Sequence, residues 1–386
     1  MRVVELFCGA GGMSSGLRNA GFDVIQAYDA WDSAVATYRE NVGTHVLQHD
    51  LNDILGVGSM IASLQPDMIC GGPPCQDYSA AGRRQEGENA SMTKAFAMLV
   101  VIARPQWFLM ENVQQAANSK AWTEAREIVK RAGYGLTEAK LDASYFGVAQ
   151  SRKRLFVIGR LGERDGFLAS ALVAAKSEKQ KTLRDLFGAD CPKSIYFHPR
   201  LKGKRAVWTS SEPAPTLRAS SLRPIPKSRD VPDGTAVLTE EQMAQIQGFP
   251  ASWKWLGKTK HDRMQLIANA VPPPLAKAIG NVILQREAGE SLPATQGNFT
   301  RWLMQRERSY QSARNVKSQL LKARRLLRGR TFKDTGIELG RLDAVAEFRA
   351  IAPKIKSDLR AALRLYAEFL DSGAQRTHAA KLDLAA

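Results

Sequence analysis

Short runs of β-branched and aromatic residues alternate with helically patterned stretches from residue 1 to about 160. Val3 to Phe7, Val24 to Tyr28, Met68 to Gly71, Trp107 to Met110 and Leu155 to Gly159 read as strands. Their rhythm predicts an α/β fold with a mostly parallel central sheet covered by helices. From 161 to 237 the pattern decays into a Pro-, Ser- and Arg-rich stretch that includes Pro213-Ala-Pro-Thr216 and Arg223-Pro-Ile-Pro226, and this reads as a small loop-rich module. Regular character returns over 238–287, with helical patterns at Gln265 to Ala268 and Leu275 to Leu284 around the break Val271-Pro-Pro-Pro274. Residues 288–386 read as a helical extension in which Ile355, Leu359, Leu363, Tyr366 and Leu370 keep helical spacing, so that one apolar face must pack on something.

A chain of 386 residues with 44% hydrophobic content can bury two or three cores, which excludes disorder of the whole. No apolar run approaches the length of a membrane span and no charged leader opens the sequence, so a cytoplasmic protein is expected. Cys8, Cys70, Cys75 and Cys191 contain no CxxC pair, which points to neither a metal site nor a disulfide framework. The net charge of +17 is unevenly placed: residues 193–229 hold nine Lys and Arg against Glu212, and residues 301–330 hold ten against Glu307. Those two windows account for the whole excess, and a polyanion such as nucleic acid is the partner they suggest.

The most informative chemistry is Gly71-Gly-Pro-Pro-Cys-Gln76, directly after the strand Met68-Ile69-Cys70. Two prolines fix φ and stiffen the tether of Cys75, while the glycines let another molecule approach, so Cys75 reads as a nucleophile and Cys8 and Cys70 as small buried hydrophobes. At the other end of the sheet pattern, Glu5-Leu-Phe-Cys-Gly-Ala-Gly-Gly12 runs from a strand through glycines into a helix ending near Gly21, which suits a ligand held at a helix N-terminus. Asp29 ends the second strand about where a ribose-binding carboxylate is expected. Nicotinamide and S-adenosylmethionine both carry that ribose, and Asp29 could equally cap the helix near Asp32.

Taken in order, Phe7-Cys-Gly-Ala-Gly-Gly12, Pro73-Pro-Cys-Gln76, Glu111-Asn-Val113, Gln150-Ser-Arg-Lys-Arg154, Gln247-Gly-Phe-Pro250 and Asn269-Ala-Val271 resemble the DNA (cytosine-5) methyltransferase family of bacterial and phage type. The resemblance spans residues 1 to about 285 and leaves 288–386 unexplained. It implies a Rossmann-like S-adenosylmethionine-dependent fold in which 1–160 and 238–287 form the catalytic domain, 161–237 the target-recognition domain and 288–386 a basic helical extension. It further implies methylation of cytosine carbon 5 in a specific duplex DNA sequence, by base flipping and a covalent adduct of Cys75 at carbon 6.

By the same resemblance, Cys75, Glu111, Arg152 and Arg154 are catalytic, with Glu111 meeting the ring at N3 and Arg154 reaching the extruded base and its phosphate. Phe7, Gly9, Gly11 and Leu17 would line the methionine part of S-adenosylmethionine, Asp29 the ribose and Asp50 the adenine amine, with Asn269 and Val271 closing the pocket. Asp29 stands where many members have Glu, and Ala268 where Gly is common. S-adenosylhomocysteine would be the product, and no metal is expected. DNA contacts are expected from Gln76, Ser79, Arg83, Arg84 and Gln150, and from Arg200, Lys202, Lys204, Arg205, Thr216, Arg218 and Arg223. The loop from Gln76 to about Ser91 would close over the flipped base. A cognate restriction endonuclease is left open as a partner, and the chain is expected to be a monomer or a weak dimer through its C-terminal helices. An RNA methyltransferase of the same fold, a non-enzymatic DNA-binding regulator and a dinucleotide oxidoreductase are the competing readings.

Overall fold

The computed structural model describes residues 1–74, 88–201, 203–289, 295, 298–332 and 334–372. Seven strands form the central sheet: β1 Arg2–Leu6, β2 Asp23–Asp29, β3 Val46–Gln48, β4 Met68–Gly71, β5 Trp107–Val113, β6 Tyr134–Asp142 and β7 Lys153–Leu161. Their order is β3-β2-β1-β4-β5-β7-β6. β7 runs antiparallel to both of its neighbours, and every other pairing is parallel. Successive strands step outward from β1 in one direction and then resume beside it with β4, so the chain reverses between β1 and β4, and a crevice opens at their carboxyl ends.

All five expected strands form. β1 stops at Leu6, one residue short of the expected end, because Phe7 adopts a left-handed φ of 54°. β3 and β6 were not legible. The core of β6, Leu136-Thr-Glu-Ala-Lys-Leu141, is rich in helix formers, and nine residues of pairing with β7 override that preference.

One face of the sheet is covered by the helices Gly12–Ala20 and Pro273–Ala288, the other by Ile54–Leu64, Glu88–Ala103 and Lys120–Arg131. The two helices on the first face come from opposite ends of the sequence and are fitted by glycines. A side-chain carbon on Gly16 would meet the carbonyl oxygen of Pro273 at 2.3 Å, and one on Gly12 would meet that of Val271 at 2.1 Å. Gly12 and Gly16 therefore serve close packing against the chain's own backbone.

Phe167, Leu168 and Leu172, beyond the boundary read at residue 160, belong to the first-face core. The small module contains a second sheet of β8 Ser194–Tyr196, β9 Val207–Thr209 and β10 Ala236–Val237, in the order β10-β8-β9. Its core takes in Met243, Ile246, Phe249, Met264 and Ile267, so much of 238–270 packs with the module, while Leu266 packs on Ala10 and Ala34 and the segment from Val271 returns to the central sheet.

The C-terminal extension is a helical bundle with its own core of Phe299, Trp302, Leu320, Phe348, Leu363 and Phe369. The expected apolar stripe of helix Pro353–Asp371 is spent inside this bundle, where Leu359 and Leu363 are buried. Glu163 joins the bundle to the sheet: it accepts from Arg160 Nη1 at 3.2 Å, from Arg286 Nη2 at 3.1 Å and from the Thr331 amide at 3.0 Å. No helix among the described residues is long and apolar enough to cross a membrane.

Candidate active site

Every expected cofactor position that the central sheet carries lies at the carboxyl ends of its parallel strands, except Leu17. Phe7 and Gly9 follow β1, Asp29 ends β2 and Asp50 follows β3. Asp29 is not a helix cap, since Trp31 is the first flanking residue of helix Asp32–Asn41. Instead its carboxylate accepts from the Gly9 amide at 2.8 Å and the Trp31 amide at 2.9 Å, which ties the β1 loop to the β2 end. Burial raises its pKa above the usual carboxylate range, more than these N–H groups lower it. Asp50 is exposed and accepts from the Asn52 amide at 3.0 Å.

The glycines of the β1 loop divide by surroundings. A carbon built on Gly11 would strike Val42 at 2.6 Å, whereas one on Gly9 would meet nothing within 4 Å. Space beside the loop therefore opens at Gly9. Leu17, expected at the cofactor, is instead wholly buried in the first-face core, because helix Gly12–Ala20 turns it toward helix Pro273–Ala288. There it lies 3.1 Å from where a side chain on Gly280 would start. Val271 is buried with its carbonyl against Gly12, and Asn269 is exposed, its side-chain oxygen accepting from Gln265 at 2.7 Å.

The catalytic expectations converge at β4, β5 and β7. Glu111 on β5 is buried, and Arg154 at the start of β7 places Nε 3.1 Å from its Oε1. A side-chain carbon on Gly72 would stand 3.2 Å from Glu111 Oε2, and the Asn112 amide donates to the Pro73 carbonyl at 3.4 Å. The acid thus borders the loop that leads to Cys75. Burial raises the Glu111 pKa, and the opposing pull of Arg154 and Arg152 does not cancel it. Arg152 is buried too, and its backbone amide donates to Asp142 Oδ1 at 3.2 Å. Cys75 itself lies outside the described residues, as do Gln76, Ser79, Arg83, Arg84 and most of the expected closing loop.

Gln150, expected at DNA, is in the interior. Its amide donates to Gln247 Oε1 at 2.5 Å and accepts from the Leu217 amide at 3.1 Å, while Gln247 in turn donates to the Ala270 carbonyl at 2.6 Å. Gln150 and Gln247 are therefore bolts between the catalytic half and the small module. Ser151 donates its amide to Ala214 at 2.8 Å and accepts from the Thr216 hydroxyl at 2.9 Å, extending the same seam. Within the module, Arg200, Lys204, Arg205, Thr216 and Arg218 border one cavity of about 290 Å³ together with His198. Arg205 is exposed at its edge, paired with Glu212 and stacked 4.7 Å over Trp208. Arg218 donates to the His198 carbonyl at 2.5 Å, and Arg223 is exposed. Lys202 is outside the described residues.

Sequence reasoning passed over a buried chain of polar groups behind the β1 loop. The Ser14 hydroxyl donates to the Glu5 carboxyl and lies 2.8 Å from the Tyr38 hydroxyl, which lies 3.2 Å from His45 Nε2. One acid in an otherwise apolar strand was the available signal. Burial lifts the Glu5 pKa from the ordinary 4.5 to about 8. Folding therefore takes up a proton between those values, so the Glu5 contribution weakens stability as pH rises from about 5 to about 8, by a few kcal/mol at most. Glu5→Gln is expected to flatten the fall in melting temperature over that range. Melting curves in which the variant loses as much stability as the parent would refute the assignment.

An open α/β sheet with one reversed strand, a glycine loop and an acid-bearing strand around a single crevice defines a Rossmann-like methyltransferase fold. Solved structures agree with that class. A DNA modification methyltransferase encoded within an E. coli prophage superposes with a TM-score of 0.56 at 22% identity, covering 74% of this chain and 99% of that one. The S. pombe Dnmt2 methyltransferase does so with 0.56 at 21% identity, covering 73% and 97%.

The sequence carries the assignment further. The family described as C-5 cytosine-specific DNA methylase matches residues 1–229 and 214–285. The Type II methyltransferase M.HgiDI of Herpetosiphon aurantiacus is 40% identical over 285 residues, 72% of this chain and 92% of its own. M.HindV of Haemophilus influenzae, also a Type II methyltransferase, is 39% identical over 298 residues, 74% and 97% of the two chains. The chain belongs to the C-5 cytosine-specific DNA methylase family and is a methyltransferase.

Membership implies S-adenosylmethionine as methyl donor and DNA as substrate. The crevice suits such a donor: Gly9 leaves room beside the loop, and Asp29 offers a carboxylate with lone pairs beyond those it gives to the Gly9 and Trp31 amides.

Proposed function

We propose that this chain methylates carbon 5 of a cytosine within a specific duplex sequence, through a transient bond from Cys75 to carbon 6 of a base swung out of the helix. The observation that carries this reading is the placement of buried Glu111 between Arg154 and the Gly72-Pro73-Pro74 tether of the thiol. Carbon 5 is a poor nucleophile. Thiolate addition at carbon 6 opens the 5,6 double bond and moves electron density toward carbon 5 and N3. S-adenosylmethionine supplies an electrophilic methyl group and leaves as S-adenosylhomocysteine. Loss of the carbon 5 proton to a base then expels the thiolate and restores the ring.

Each protein group has a task in that sequence. Glu111, whose pKa is raised by burial, donates at N3 as negative charge grows there. Arg154 and Arg152 put positive charge beside the acid, and positive charge reaching the thiol would favour its thiolate. Phe7, Gly9, Asp29 and Asp50 would hold the donor along the strand ends, with Gly11 shaping the loop and Asn269 and Val271 closing the far side. A stacked base cannot reach this crevice, so the target must flip. Arg200, Lys202, Lys204, Arg205, Thr216, Arg218 and Arg223, with Gln76, Ser79, Arg83 and Arg84 from the closing loop, would hold phosphates and read bases around it. The Type II names of the relatives support a modification role beside a restriction endonuclease that cuts the same sequence.

Bisulfite sequencing of DNA from cells expressing the chain is expected to show protected cytosines in one short recurrent context. Conversion of every cytosine, together with methyl transfer to transfer RNA in vitro, would replace this reading by the RNA one.

A further inference from the structure

The family match ends at residue 285, and the bundle that follows contains a strongly basic helix. Helix Tyr310–Leu326 contains five cations and no acid. Arg324 is turned inward, its guanidinium 4.6 Å over the Tyr366 ring. The other four, Arg314, Lys317, Lys322 and Arg325, fall within an arc of roughly 140° at 3.6 residues per turn, opposite the buried Ala313, Leu320 and Ala323. None of the four forms an ion pair with a described residue.

Some surface cations elsewhere are paired, as in Lys94 with Glu124, Lys130 with Asp165 and Lys254 with Glu40. Within the bundle itself Arg306 meets Glu368 and Arg360 meets Asp343. Like charges crowded on one helix face repel. A face that concentrates them without counter-charge is complementary to a polyanion. Tyr310, 59% exposed at the start of the helix, adds a flat ring beside the Arg314 guanidinium.

The bundle is anchored at the end of β7 far from the crevice. Its anchor, Thr331 on Glu163, lies just past the end of β7, whereas Arg154 and Glu111 stand at the start of that strand. Nine residues of extended chain separate the two ends by about 30 Å. We propose that the outer face of helix Tyr310–Leu326 is a second duplex-DNA contact, and that it grips a segment of DNA other than the one in the target crevice. The proposal rests on the DNA methyltransferase reading but concerns binding alone, so its test needs no methyl transfer.

Full-length protein is mixed with two target-free duplexes, one carrying a donor dye and one an acceptor, and compared with an R314Q/K317Q/K322Q/R325Q variant whose melting temperature is measured alongside. The parent should bring the dyes together and the variant should not. The slope of log affinity against log salt for one duplex should fall by about 3 to 4 in the variant, near 0.9 per lost contact. Methylation of a short target duplex at saturation should be unchanged. Equal dye transfer and equal slopes in parent and variant would overturn the proposal, as would capture of RNA in preference to duplex DNA. If no duplex is ever methylated but the variant still loses the dye transfer, the catalytic reading fails and this one stands.

Discussion

Replacing Cys75 with alanine is expected to lower methyl transfer by at least about a thousandfold while leaving DNA affinity within about threefold. The expectation follows from how firmly the approach to Cys75 is held. β4 is flanked by β1 and β5, and a side-chain carbon on Gly71 would lie 2.1 Å from the Leu6 carbonyl, so the strand end is pressed against its neighbour. Asn112 then holds the Pro73 carbonyl, and two fixed φ angles carry the chain on to the thiol. A nucleophile delivered this way has little freedom to be replaced by water. The same variant should lose the covalent complex that the parent forms with a duplex containing 5-fluorocytosine, where fluorine blocks removal of the carbon 5 substituent. A Cys75→Ala protein that still becomes trapped, or still turns over within tenfold of the parent, removes the basis of the mechanism.

What could be read in advance follows a physical division. Residues placed at strand ends were legible, because a strand end is marked by a hydrophobic run that stops at a polar or glycine residue. Phe7, Asp29, Gly72 and Glu111 each lie where such a run stops or turns polar, and each borders the crevice. Residues inside helices were not, since the motif gives no azimuth. Leu17 follows the glycine loop by a few residues, yet helical geometry swings it into the core. Long-range partners were also hidden. Nothing local says that Gln150 and Gln247, 97 residues apart, will bond to each other, and their polarity made a DNA role the natural guess for Gln150. The glycines were only half understood for the same reason. A ligand was the visible explanation for their crowding, whereas Gly12 and Gly16 are crowded by a helix that arrives more than 250 residues later. The basic C-terminal window carried a further concealment, because composition counts Arg324 with its neighbours although the fold puts it inside.

Glu111→Gln is expected to reduce turnover by roughly a hundredfold to ten-thousandfold, the range usual for loss of a positioned acid. The reasoning turns on protonation. Desolvation dominates at Glu111 and raises its pKa, with the two arginines pulling the other way. The acid needed at N3 is the protonated form, so activity is fully expressed below that raised pKa and declines as pH rises through it. Glutamine keeps the shape and one donor but cannot pass a proton, so the variant should lose both rate and the alkaline decline that Glu111 imposes. Its amide also replaces the carboxyl that faces Arg154 Nε at 3.1 Å, a loss that would appear as lower melting temperature if the pair were mainly structural. A variant that melts like the parent, turns over hundreds of times more slowly and shows no alkaline limb places the role of Glu111 in chemistry. One that turns over within tenfold of the parent with the same pH profile rules out Glu111 as the acid, and leaves its burial between Arg154 and the Cys75 tether as packing alone.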